Sequence, residues 1–256
     1  MTKMIPITPE RFNALRWRRP TDMKYAAPTA AAALVAAELP QAMHAFPLVF
    51  LPQGDGFMPA ALLGLRPQEN LFVSSEGRWL AGYVPAALRA HPFAFVQASD
   101  GQRVLCIDED SGLIAQGAEG EAFFAPDGQP AKALMDVLEA LRLMDGGRPL
   151  LEKSCAELKA QGLIQTWDLH WRSAEGEQKV NGIFKIDEAA MQKVSDEDFL
   201  KLRHSGALPL AYCQLLSMHK AETLARLAQS RVPAAAKPSS QDDLAFLSKE
   251  GVLRFN

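Results

Sequence analysis

Residues 46–96 read FPLVFLPQGDGFMPAALLGLRPQENLFVSSEGRWLAGYVPAALRAHPFAFV. Proline and glycine separate short apolar runs throughout this stretch, and the same pattern continues to residue 126. Apolar runs that are bounded by turn residues at intervals of about ten positions are typical of hairpins, not of alternating strand–helix units. The pattern therefore predicts an α+β fold, in which an antiparallel sheet built from hairpins is flanked by helices.

The individual elements follow from the turn residues and from the spacing of the apolar residues. Strands are predicted at residues 48–51, 60–65, 70–73, 93–96 and 103–107, and a hairpin at residues 164–172 and 180–186. Helices are predicted at residues 130–144, 150–162 and 208–227, where apolar residues recur at helical spacing. Asp187 and Ser195 are the expected N-caps of two further helices, and the second of these helices should end near Gly206.

Composition divides the chain into four parts. We expect an irregular, proline-containing N-terminal arm over residues 1–29, a single α+β domain over residues 30–231, a linker over residues 232–243 and a C-terminal tail over residues 244–256. Trp17 and Tyr25 are the aromatic residues that would anchor the arm to the domain. Because the tail is apolar but short, it should dock on its own domain, or alternatively on a second copy as an exchanged arm that forms a homodimer.

Composition and charge exclude several classes of protein. The 256 residues are 48% hydrophobic and 22% charged, which is typical of a globular chain, and the net charge of −3 gives no basic surface for nucleic acid. Three widely spaced cysteines without a C-x-x-C motif favour a reducing compartment. No apolar run is long enough to cross a membrane. We therefore expect a cytoplasmic protein that binds neither nucleic acid nor membranes.

No common catalytic motif is present. The sequence lacks G-x-S-x-G, the phosphate-binding G-x-x-x-x-G-K-[ST] loop, H-E-x-x-H and the dinucleotide-binding glycine pattern. The five histidines are scattered, and none shares metal-ligand spacing with another. We therefore predict no catalytic residue, no metal site and no cofactor.

Arg89 is the most informative polar residue, because it lies in the apolar run YVPAALRAHPF. A guanidinium in such company must stay hydrated or find a partner. Together with Tyr83 and His91 it could hold a carboxylate or a phosphate, and Trp79 would complete the wall of such a pocket. The simpler alternative, which we favour from the sequence alone, is a structural ion pair of Arg89 with Glu38 or with Asp108.

Three other features have both a functional and a structural interpretation. Glu38 lies in the apolar segment VAAELP and is a candidate proton carrier or ligand-binding residue, although capping or ion pairing is simpler. Residues 108–110 could bind a hard cation, but a solvated turn is favoured. Trp167 and Trp171 would share one face of a strand as a stacking platform, whereas core packing is the more common outcome.

The chain also resembles the SapC family, and the resemblance extends over residues 25–228. The segments that carry it include VAAELP at 35–40, FPLVF at 46–50, NLFV at 70–73, YVPA at 83–86 with Leu88 and Arg89, and SDEDF at 195–199. The resemblance implies a bacterial protein from a family named after surface-array protein genes. It implies no established enzymatic activity and no assigned catalytic residues. Genes of such proteins often lie beside those of outer-membrane receptors and oxidative tailoring enzymes.

Three functions remain open from the sequence. The preferred hypothesis is a non-catalytic ligand-binding or accessory protein that acts on a small molecule or a protein partner, for example beside an oxidative tailoring enzyme or an uptake system. The alternative is an enzyme of unknown reaction, with Glu38 or His91 as acid–base and Arg89 as anion holder, which requires these three residues to meet in one cleft. The third is a surface-layer assembly component, which ranks last because the N-terminal sequence has no export signal.

Overall fold

The computed structural model describes residues 3–98, 101–173 and 176–231. Its strands are β1 Met4–Pro6, β2 Leu15–Trp17, β3 Ala31–Ala33, β4 Leu48–Gln53, β5 Gly56–Leu62, β6 Phe93–Gln97, β7 Arg103–Asp108, β8 Ile114–Gln116, β9 Glu121–Ala122, β10 Ile164–Thr166, β11 Leu169–Ser173, β12 Gly176–Val180 and β13 Phe184–Ile186. Its α-helices are α1 Pro9–Phe12, α2 Leu39–Ala45, α3 Ala86–Arg89, α4 Lys132–Gly146, α5 Arg148–Ala160, α6 Glu188–Met191, α7 Asp196–Ser205, α8 Ala207–Ser217 and α9 Ala221–Arg231.

The main sheet is antiparallel, and its strand order is β10-β13-β4-β5-β3. The central hairpin joins β4 to β5 through a turn at Gly54, where a φ of 54° favours glycine. Leu48, Val49 and Phe50 follow one another in β4 and are all buried, so both faces of the sheet are covered there. Helices α5 and α8 pack against this sheet, and α2 packs on α8.

A second, smaller core lies beside the main one. It is enclosed by the sheets β1-β7-β6 and β8-β2-β9 together with α4, and it contains Phe12, Trp17, Phe93 and Phe123. Residues 3–29 are therefore more regular than the sequence indicates, since this segment supplies β1 to one of these sheets and β2 to the other. Strands of three residues are too short to show an alternation of apolar and polar residues. The partners of β1 and β2 lie about a hundred positions later in the chain.

The α+β fold built from antiparallel strands is confirmed, and three elements differ from the prediction. Residues 70–73 form no strand but contribute a single bridge between Val73 and Trp79. The hairpin predicted at 164–186 is divided, because β10 pairs with β13 while β11 pairs with β12 beyond a break at Trp167. The helix predicted at 208–227 is α8 and α9, separated by a 3₁₀ turn at Met218–Lys220.

The predicted helix caps are present. The Asp187 carboxylate accepts a hydrogen bond from the backbone N–H of Ala190, and the Ser195 hydroxyl accepts one from that of Asp198. Gly206, with a φ of 77°, ends α7 as expected. No helix in the described part of the chain is long and apolar enough to cross a membrane. The predicted linker and C-terminal tail, residues 232–256, lie outside the described residues.

Candidate functional site

A cavity of about 770 Å³ lies where the two cores meet. One wall comes from the side of the main core and carries Tyr25, Glu38 and Tyr83. The opposite wall comes from the smaller core and carries Trp17 of β2 and the α4 residues Val137 and Leu141. Such junctions between packed units are common positions for small-molecule sites.

The short helix α3 brings the predicted site residues to this cavity. It begins after Pro85 and ends at Arg89, so His91 follows two residues after the last helical residue. Arg89 is exposed, whereas His91 is half-buried. Both line the cavity together with Tyr83 and Glu38, so four of the five predicted ligand-binding residues share one wall.

Glu38 joins two segments of that wall through hydrogen bonds. Its side chain is buried, and its carboxylate accepts three hydrogen bonds of 2.8 Å each: from the backbone N–H of Val35, from the Tyr83 hydroxyl and from the backbone N–H of Ala86. The first bond caps the 3₁₀ turn at Ala36–Glu38, and the other two tie that turn to the beginning of α3. Glu38 is therefore held as a structural acceptor, as the simpler sequence interpretation expected.

Tyr83 connects Glu38 to Arg89. Its hydroxyl donates to Glu38 Oε2 and accepts a hydrogen bond of 3.1 Å from Arg89 Nη2. Burial, and then the hydrogen bond to Glu38, raises the pKa of Tyr83 to about 12, so the phenol stays protonated at neutral pH. The Arg89 guanidinium also lies over the Tyr83 ring, 5.5 Å from its centroid.

Arg89 has no carboxylate partner among the described residues. Neither Glu38 nor Asp108 makes the ion pair with it that the sequence favoured, because Tyr83 stands between Arg89 and Glu38, and Asp108 caps the 3₁₀ turn after β7. A guanidinium carries five N–H donors, and the bond to Tyr83 uses one. The remaining donors are available to an acceptor at the cavity.

His91 supplies a stacked imidazole at the same wall. Its ring lies parallel to that of Tyr25, with 3.9 Å between the centroids and 8° between the planes. The Tyr25 hydroxyl donates to the carbonyl oxygen of Leu88, 2.9 Å away, which fixes the pair against α3. Burial lowers the pKa of His91, and the charge of Asp108 opposes that shift, so the imidazole is neutral at pH 7.

Trp79 lies apart from the other four. It does not line the cavity but packs against Phe46 and Phe72 in the main core. Its indole N–H donates to the carbonyl oxygen of Tyr83 at 2.7 Å. Trp79 therefore positions the Tyr83 backbone, and the expectation that its ring forms part of the pocket wall does not hold in this structure.

Sequence reasoning missed the α4 side of the cavity. Val137, Leu141 and Met144 read as an ordinary core stripe, yet they also line the cavity. Trp17 and Tyr25 were expected only as anchors of the arm, and both contribute to the walls. In the folded structure one feature does distinguish this side of the cavity from an ordinary core. The buried indole N–H of Trp17 has no hydrogen-bond partner among the described residues.

The other sequence candidates are structural. Glu109 pairs with Lys3 and Arg11, and no group of three potential metal ligands occurs in the described ranges. Trp167 and Trp171 are buried in the main core, which is the interpretation favoured from the sequence. Cys106 and Cys155 are buried thiols.

The lowered pKa of His91 predicts a pH dependence of stability. The unfolded chain protonates this imidazole near its ordinary value of 6.5, whereas the folded chain resists protonation until lower pH. The unfolded state therefore binds more protons between the two pKa values, and the contribution of His91 to stability falls as pH drops through about 6.5. The measurement is urea unfolding of the protein and of His91→Gln from pH 7.5 to pH 5.

Titratable groups that the protein and His91→Gln share contribute equally to the pH dependence of both, so they cancel in the difference between the two unfolding free energies. As the pH falls, the unfolding free energy of the protein should decrease relative to that of His91→Gln. The decrease should level off below the pKa that His91 has in the folded protein. A difference that is constant over the whole range would contradict the burial of this imidazole.

Comparison with known proteins places the chain in a family through a family model. No curated protein and no solved structure matches the chain. The SapC family model matches residues 7–224, which include most of the predicted N-terminal arm and all five predicted site residues. The chain belongs to the SapC family.

Proposed function

We propose that this chain is a non-catalytic binding protein for a small molecule that combines an acidic group with an apolar body. The observation that carries the proposal is the guanidinium of Arg89, which has no carboxylate partner within residues 3–98, 101–173 and 176–231 and lies on the wall of a large cavity between two cores. The volume of about 770 Å³ lies within the range of roughly 300–1,000 Å³ typical of ligand pockets. Most of the remaining wall is apolar.

The other charges at the wall support an anionic ligand. Arg19 pairs with Glu121 at 2.6 Å, and Asp136 pairs with Lys132 at 3.1 Å. The carboxylate of Glu38 is occupied by three donors. Among the described residues that line this wall, Arg89 is thus the cation without a carboxylate partner, and arginine binds carboxylates and phosphates with paired N–H groups.

The enzymatic alternative gains support from one observation. Glu38, His91 and Arg89 line a single cavity, which is the arrangement this alternative required. The three hydrogen bonds to Glu38 weaken its candidacy as an acid–base group, so the imidazole of His91 would be the base in this version. The binding proposal is preferred because it needs only Arg89 and the apolar walls.

The experiment compares two ligands of nearly equal shape, 2-naphthoate and 2-naphthamide, by isothermal titration calorimetry. We expect the protein to prefer the carboxylate by about tenfold to hundredfold, because hydrogen bonds to charged groups contribute about 1.5–3 kcal/mol. The variant Arg89→Met should lose that preference while it keeps some affinity for the amide. Arg78→Met, which removes an exposed arginine that does not line the cavity, should bind like the unmodified protein.

Two results would overturn the proposal. One is a carboxylate preference that survives in Arg89→Met. The other is the absence of binding by either ligand at millimolar concentration.

The wider role remains part of the proposal. Action beside an oxidative tailoring enzyme or an uptake system rests on the family resemblance alone. A cytoplasmic location is supported by the low cysteine content and by the free thiols of Cys106, Cys155 and Cys213. A homodimer formed through residues 244–256 is proposed only from the apolar character of that segment.

A further inference from the structure

A second cavity adjoins the first. Its volume is about 280 Å³, and five apolar residues line both cavities: Val35, Ala90, Phe93, Leu141 and Met144. We call this group the waist. Phe93 and Leu141 are buried, whereas Val35, Ala90 and Met144 are half-buried, so the waist is only partly packed. It contains no polar side chain and no charge.

Three segments of the chain pass from one cavity to the other through the waist. The first runs from Ala33, which lines the second cavity, to Glu38, which lines the first. In the second segment, His91 lines the first cavity and Phe95 lines the second. The third is α4, where Asp136 lines the first cavity and Asp145 the second.

All three segments pass from one cavity to the other, the first in the opposite chain direction to the other two, and α4 shows that the cavities follow one another along a helix axis. The nine-residue step from Asp136 to Asp145 corresponds to about 14 Å along the axis of α4. A ligand that enters both cavities is therefore elongated. It must also be apolar at its middle, because the waist offers no hydrogen-bonding side chain.

The second cavity suits an apolar end. Its walls include Phe57, Met58 and Leu151, and the charged residues that line it are paired with one another. Arg103 forms an ion pair with Asp145, and Arg148 lies 3.6 Å from Glu152. In contrast to Arg89 in the first cavity, these charges already have partners.

We propose that the second cavity is the tail subsite of a chain-shaped ligand, a linear apolar acid whose acidic group lies at Arg89. The chain runs alongside α4, passes the waist and ends against Phe57, Met58 and Leu151. The flexible side chain of Met144 adjusts to the width of the chain as it passes. This inference rests on the proposed function, since it assigns the orientation and the class of the ligand at the same site.

The test uses two linear carboxylates, octanoate and tetradecanoate, titrated below their micellar concentrations. Octanoate is short enough to stay in the first cavity, whereas an extended tetradecanoate chain is long enough to pass the waist into the second. The variants Ala33→Trp and Ala87→Trp each place a bulky ring at an exposed position that lines only the second cavity. Ala189→Trp puts the same ring at an exposed position on α6 that lines neither cavity and is the matched control.

We expect the unmodified protein to bind tetradecanoate at least tenfold more tightly than octanoate. Both second-cavity variants should lose most of that difference, and their affinity for octanoate should stay within twofold. Ala189→Trp should retain the difference in full. Because the two variants lie in different elements, β3 and α3, agreement between them excludes a disturbance that is confined to one element.

The outcomes separate this inference from the proposed function. If tetradecanoate binds equally well to the second-cavity variants and to the unmodified protein, the tail subsite is wrong and the acid-binding cavity stands. Equal losses for both chain lengths would also contradict the tail subsite, because octanoate should not sense the second cavity. If neither carboxylate binds the unmodified protein, the proposed function fails together with the inference.

Discussion

Replacing Glu38 with alanine is expected to lower the free energy of unfolding by about 3–5 kcal/mol. The side chain is 3% exposed, and its carboxylate satisfies two backbone N–H groups and the Tyr83 hydroxyl. Alanine leaves these donors without their acceptor in a buried place, and each unsatisfied donor costs about 1–3 kcal/mol. The 3₁₀ turn at Ala36–Glu38 and the beginning of α3 lose the group that joins them.

Urea unfolding at pH 7.5 measures this effect. Glu38→Gln should lose less stability than Glu38→Ala, because the amide oxygen keeps one acceptor. Glu139→Ala, at an exposed position of α4, is the control and should change stability by less than about 0.5 kcal/mol. If the losses of Glu38→Ala and Glu139→Ala were equal, Glu38 would not be the buried acceptor described above.

The second large effect is expected at Phe46. This side chain is fully buried in the main core, and its ring meets Phe72 edge-on at 4.9 Å and Trp79 at 6.1 Å. Phe46→Ala removes the ring and leaves a cavity that the packed neighbours fill only in part, so we expect a loss of about 3–5 kcal/mol. The same change loosens Trp79, whose indole N–H holds the Tyr83 backbone.

Phe199→Ala is the matched control, because the same atoms are removed from a side chain that is 41% exposed. Its effect on the free energy of unfolding should stay within about 0.5 kcal/mol. Comparable losses in the two variants would contradict the description of Phe46 as a fully buried ring that packs against Phe72 and Trp79. An unchanged slope of the unfolding curve should accompany the shift of the midpoint for Phe46→Ala.

The strands that the sequence predicted well are those whose partners are close in the chain. Hairpins β4–β5 and β6–β7 each carry their own apolar runs and turn residues, so local patterns are sufficient. Strands β1 and β2 could not be predicted in this way. Each has three residues, and each pairs with residues that lie about a hundred positions later.

The site residues that could be predicted are charged residues that lie within apolar runs of the sequence. Arg89 and Glu38 are charged residues in apolar runs, and the structure brings both to the same cavity with Tyr83 and His91. The α4 wall was not predictable as part of a site. An apolar cavity wall and a packed core produce the same helical stripe, so residues such as Val137 carry no distinguishing signal.

Trp79 is the opposite case, a residue that was predicted to line the pocket and does not line the cavity. Its position close to Tyr83 in the sequence suggested a pocket wall, yet the residue faces the aromatic core and meets Tyr83 only through the backbone carbonyl. Which side of a loop a ring occupies depends on the neighbours that are available to it. In this chain those neighbours are Phe46 and Phe72, and their positions follow from the tertiary fold.

A crystal structure of the protein with 2-naphthoate tests the central claim most directly. The account predicts that the naphthalene ring lies in the cavity between the two cores and that a carboxylate oxygen lies about 2.7–3.2 Å from a guanidinium nitrogen of Arg89. It is contradicted if the carboxylate points away from Arg89, or if the ligand binds only on the outer surface of the protein.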